Sequence, residues 1–80
     1  MSSWEKTLAR IMSRRADASI RYDDLCLVLR RLGYTPSQTG GSHRVFRFEG
    51  RDFINVQNAG GMAKSYQVRQ VRDQLSKYQK

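Results

Sequence analysis

The sequence predicts a single α+β domain with a three-stranded antiparallel sheet, and three observations carry that expectation. Apolar residues recur at helical spacing near both ends and again before Gly33, they alternate at period two between residues 42 and 57, and 80 residues suffice for one core. Apolar residues at 39% and charged residues at 28% are ordinary globular proportions, so the chain is expected to fold rather than stay disordered.

Trp4, Leu8, Ile11 and Met12 stand at i, i+4, i+7 and i+8 and predict an amphipathic helix over residues 3–14, capped by Ser2 or Ser3. Residues 14–19 are charged or small and read as a short linker. Leu25, Val28, Leu29 and Leu32 then predict a second helix over 22–32, with Asp23 and Asp24 favourably placed in its first turn and Gly33 as its stop. Residues 34–38 include Pro36 and read as an edge strand or extended segment, followed by a turn at Thr39, Gly40 and Gly41.

Residues 42–49 are the clearest strand, because Phe46 and Phe48 alternate with Val45, Arg47 and Glu49, and residues 53–57 form the next. The turn between them decides which side chains share a face. A two-residue loop would set Phe46 against Asn55 and mix polar with apolar on both faces, whereas a three-residue loop, Gly50 to Asp52, pairs Phe48 with Ile54 and Phe46 with Val56. The second register is expected, and it gathers His43, Val45, Arg47, Asn55 and Gln57 on the opposite face. Residues 58–61 read as a flexible connection, and Val68, Val71, Leu75 and Tyr78 predict a closing helix over about 63–78, giving the order α-α-β-β-β-α.

The charge points to a class of partner. Lysine and arginine number 15 against 7 acids, a net charge of +8, and arginine dominates, which suits bidentate phosphate contact. A polyanion such as RNA is the expected partner. No apolar stretch approaches the roughly 20 residues of a spanning helix and no basic segment precedes an apolar one, so no membrane is expected and the chain reads as cytoplasmic. Cys26 is the only cysteine and falls among Leu25 and Leu27, where a buried thiol without chemical role is expected.

One stretch combines groups fit for phosphoryl chemistry. Gly41 and Ser42 lead from a glycine turn into a basic strand carrying His43, the sole imidazole. A histidine near its ordinary pKa of about 6.5 can take a proton from a ribose 2′-hydroxyl or return one to a leaving 5′-oxygen, with no metal or cofactor required. Arg44 or Arg47 can neutralise charge on the phosphate. One histidine leaves the acid and base roles unassigned between them. A second feature is Gly60 and Gly61 before a helix that opens near Lys64, readable as a phosphate cradle or simply as a turn. The basic and amide side chains of residues 64–72 suit either a backbone-tracking face or a solvated one.

Several motifs together resemble one known family. Leu-Arg-Arg-Leu-Gly-Tyr at 29–34, Gly-Ser-His at 41–43 followed by Phe46, Ile-Asn-Val-Gln at 54–57 and Ala-Lys-Ser-Tyr-Gln-Val-Arg-Gln-Val-Arg at 63–72 resemble, in order, the HicA family of bacterial toxins. The resemblance spans roughly residues 20–78, leaving residues 1–19 as an added helix and linker. It implies a fold similar to a double-stranded-RNA-binding domain, with an α-β-β-β-α core. It also implies cleavage of messenger RNA, with His43 as the catalytic residue and Gly41 and Ser42 shaping its turn, and a HicB-like antitoxin as protein partner. Many relatives carry a second histidine where this chain has Arg44, so one candidate acid is replaced by a cation. Two other readings keep the same fold: an RNA-binding module that does not cleave, and an interaction domain whose basic face meets an acidic partner.

Overall fold

The computed structural model describes residues 3–38 and 43–78. The N-terminal stripe folds as α1, Ser3–Met12, with Ile11 fully buried and Trp4 and Leu8 half-buried against the core. The helix stops short of residue 14 because Arg14 adopts a φ of 66° and turns the chain out of the helical path. A single 3₁₀ turn, Asp17–Ser19, leads to α2, Tyr22–Arg31. Gly33 ends α2 as expected: at φ 102° its N–H donates to the Arg30 carbonyl while the Tyr34 N–H donates to that of Leu29, the paired bonds of a Schellman motif.

Four antiparallel strands follow rather than the three expected, in the order β1 (Thr35–Gln38), β2 (His43–Arg47), β3 (Ile54–Ala59) and β4 (Met62–Ala63). The extra strand arises from the segment expected to be a flexible connection. Gly60 at φ 64° and Gly61 at φ 91° close a two-residue hairpin in which Ala59 pairs with Met62, and a turn positive at both central residues matches the natural twist of two strands. The last helix, α3, spans Ser65–Tyr78, so Ala63 belongs to β4 and not to the helix.

The β2–β3 register also differs from expectation. Phe46 pairs with Ile54 and Arg44 with Val56, a shift of two residues that lengthens the loop. Phe48 leaves the ladder to pack edge-on against Tyr34, with ring centroids 5.1 Å apart, and the Arg51 guanidinium lies 3.8 Å from the Phe48 centroid and 4.8 Å from that of Tyr78. This stack fastens the loop to α3 and competes with the shorter turn. Because the shift is even, the side chains that remain in the ladder keep their expected faces.

Both α2 and α3 lie on one face of the sheet, over Phe46, Ile54, Val56 and Ala63, and with Leu25, Val28, Leu29, Val68, Val71 and Leu75 they form the core. α1 packs chiefly against these two helices rather than on the strands. The segment expected to be a linker is held at several points. Arg72 binds Asp17 through both terminal nitrogens, at 2.6 and 3.1 Å, and also donates to the Ile11 carbonyl. Just beyond it, the Ala63 N–H donates to the Ile20 carbonyl and the Tyr22 N–H to that of Gly61, which braces the β3–β4 hairpin. Among the described residues no helix is long and apolar enough to cross a membrane.

Two stability experiments follow from these contacts. A Cβ on Gly33 would sit 3.0 Å from the Phe48 ring, whereas one on Gly60 meets nothing within 4 Å. Gly60→Ala is therefore expected to cost about 1–2 kcal/mol for its left-handed backbone alone, and Gly33→Ala to cost a further 1–3 kcal/mol or so of overpacking, read by urea unfolding. The Arg72 hydrogen bond holds the Asp17 carboxyl below its ordinary pKa. That contribution is complete above about pH 4 and is lost as the pH falls through the lowered value. Asp17→Asn should accordingly be less stable than wild type at pH 7, with the gap narrowing below pH ~4; a gap independent of pH would contradict the assignment.

Candidate nucleic-acid interface

Side chains alternate across a strand, so the inward pointing of Phe46, Ile54 and Val56 turns their neighbours outward. The ladder sets His43 opposite Gln57 and Val45 opposite Asn55, and β1 adds Ser37 beside Val45 and Thr35 beside Arg47. No described helix covers this side: His43, Arg47 and Asn55 are exposed, and Val45 and Gln57 are half-buried. Phe53, immediately before β3, extends the same face, with the Arg47 guanidinium 5.6 Å from its ring centroid.

The sequence-expected residues divide. His43 and Arg47 share the open face, separated by four residues of strand or about 13 Å. Arg44 does not join them. It pairs with Val56 on the helix side, is half-buried, and its charge acts on the Tyr22 hydroxyl and the Cys26 thiol of α2. A side chain one position from His43 on a strand faces the other way, so the structure sets Arg44 and His43 on opposite sides of the sheet. Gly41 and Ser42 lie outside the described residues.

Lys64 is exposed and forms the N-cap of α3, its carbonyl accepting from the Gln67 and Val68 N–H groups. Extending the β3–β4 ladder by one residue would set Lys64 beside Gln57, two strand spacings or about 10 Å from His43. The chain instead turns into the helix, and the Gln67 side chain takes the vacated place: its Oε1 accepts from the Gln57 N–H at 2.8 Å. Gln67, Arg72 and Gln74 are all buried, so Gln67 and Arg72 leave the run at 64–72 that was expected to track a backbone or stay solvated. Gln74 bonds to the Tyr34 hydroxyl and to the Asp52 carbonyl, anchoring the same loop that Arg51 stacks upon. Periodicity of apolar residues gives no sign of such polar anchors. The alternation past Ile54 did carry a signal for Phe53.

Cys26 is buried, and desolvation pushes its thiol up from the ordinary value, in keeping with a packing role. Among the described residues a groove of about 390 Å³ runs along α3 between Tyr66 and Tyr78, and an apolar one of about 270 Å³ lies at Leu8, Met12, Leu32 and Leu75. Neither includes His43, which is exposed on the open side of the sheet. Among the described residues no three His, Cys, Asp or Glu side chains cluster as a metal site would require.

What the face can do follows from its groups: an imidazole for proton transfer, a carboxamide directly across from it, a guanidinium and an exposed ring further along, and no carboxylate among the residues that the register sets beside them. Comparison with known proteins gives no match to any family model, curated protein or solved structure.

Proposed function

We propose that the chain is a metal-independent endoribonuclease toxin of the HicA kind, with RNA laid across the open face of the sheet. The observation that carries this reading is the placement of the single imidazole, exposed, on a helix-free sheet face of a domain with net charge +8. Helices on one side and strands on the other also suit the double-stranded-RNA-binding architecture that the sequence resemblance implies, with β4 and α1 as additions. A cytoplasmic setting and an acidic HicB-like antitoxin complete the proposal, since such a partner would be steered onto the same basic surface.

In the reaction the His43 imidazole accepts the proton of a ribose 2′-hydroxyl as that oxygen attacks the adjacent phosphorus. The bond from phosphorus to the 5′-oxygen breaks, the leaving oxygen takes a proton from the imidazolium or from water, and the products are a 2′,3′-cyclic phosphate and a 5′-hydroxyl. Gln57, directly across the ladder, is the group placed to donate to a non-bridging oxygen, and Arg47 meets a phosphate further along the strand. Arg44, on the helix side, is assigned to the fold rather than to the scissile phosphate.

A second reading is favoured by one feature. The group across the ladder from His43 is the Gln57 carboxamide, which binds phosphate oxygens but transfers no proton, so a module that binds RNA without cutting it also fits the face. Purified protein incubated with RNA in chelator separates the two. Cleavage is expected, with cyclic phosphate ends, and His43→Ala should slow it by about 10²- to 10⁴-fold while leaving RNA affinity nearly unchanged. Equal cleavage by both forms would remove His43 from the chemistry, and mobility shifts without new ends would favour the binder.

A further inference from the structure

Phe53 is the feature of the open face that the cleavage chemistry leaves unused. Its side chain is 54% exposed, more than any core-lining aromatic of the chain, and it follows Asp52 in a loop otherwise tied down by Arg51 and Gln74. Single exposed apolar residues are common on protein surfaces and by themselves mean little. Phe53 differs in where it stands. Continuing the β2–β3 pairing by one residue sets it opposite Arg47, on the same face as His43, and the guanidinium lies 5.6 Å from its centroid. The ring is thus displayed, with Arg47, at one end of a strip whose other end is the imidazole.

Resting on the reading of this face as an RNA surface, we infer that Phe53 and Arg47 form a stacking step for an unpaired base, which selects single-stranded over duplex RNA and sets which phosphate reaches His43. An aromatic ring presented from a sheet offers a π-face that any splayed-out base can cover, and a duplex, whose bases are stacked on one another, cannot use it. Arg47 steadies the ring and presents donors to the phosphate of the stacked nucleotide. The about 13 Å between the two ends of the strip means that the stacked base belongs to a nucleotide away from the scissile bond. Phe53 is accordingly a positioning residue, whose contribution appears in binding and in the choice of cleavage site.

The test is equilibrium binding of a 2′-O-methyl oligoribonucleotide of mixed sequence, which cannot be cleaved, as a single strand and annealed to its complement at one fixed salt concentration. Phe53→Leu keeps an apolar side chain at an exposed position and removes the ring. It is expected to weaken single-strand binding by roughly 5- to 150-fold, the worth of one stacked base, and to leave duplex binding unchanged. Phe53→Trp is expected to retain affinity and to show indole emission, beyond that of Trp4, that is quenched in proportion to bound single strand. Equal single-strand affinity of wild type and Phe53→Leu overturns the stacking step, as does an equal loss for strand and duplex, or emission of Phe53→Trp unchanged at saturation. Failure of the wild type to bind either RNA overturns the RNA reading and the stacking step together, whereas binding of the 2′-O-methyl strand by a protein that leaves unmodified RNA uncut keeps the stacking step standing and removes only the nuclease.

Discussion

Everything in this molecule depends on a sheet that is buried on one side only. An 80-residue chain has apolar surface for one core, and Phe46, Ile54, Val56 and Ala63 direct all of it toward α2 and α3. α1 adds to that core through Ile11 and sits mainly against the helices, so the opposite side of the strands keeps polar side chains in water. The open face is a consequence of this asymmetry. His43, Arg47 and Asn55 are exposed because their sequence neighbours are not.

The asymmetry is maintained by polar anchors at both ends of α3. Near its start Gln67 completes the ladder where β4 runs out, in its middle Arg72 grips Asp17 and the end of α1, and Gln74 holds the β2–β3 loop together with the Arg51 stack. A buried guanidinium paired in this bidentate way fixes geometry more than it adds net stability, because much of its attraction offsets desolvation. The result is a short connection between α1 and α2 with a defined course, which in turn supports the hairpin at Gly60 and Gly61.

Much of this was legible in the residues. Period 3.6 located the three helices, period 2 located β2 and β3, and the separation of His43, Arg47, Asn55 and Gln57 from the apolar face survived even though the register moved by two. The register itself was not legible, since the loop is held by Arg51 stacking on Phe48 together with Tyr34 and Tyr78, two rings from distant parts of the chain. The fourth strand was missed for a local reason, two glycines read as slack where positive φ at both makes a tight hairpin. Arg44 and His43, neighbours in sequence, fall on opposite faces, as adjacent residues of a strand do. The buried amides of α3 left no periodic trace because their partners are backbone groups far along the chain.

The central claim, that nucleic acid lies on the helix-free side of the sheet, is open to a direct reading by nuclear magnetic resonance. Titrating the ¹⁵N-labelled protein with an uncleavable RNA strand should shift the amide signals of His43, Val45, Arg47, Phe53, Asn55 and Gln57, and leave those of α1 and of the outer face of α2 in place. Shifts concentrated on the helices, with the strand signals unmoved, would contradict it.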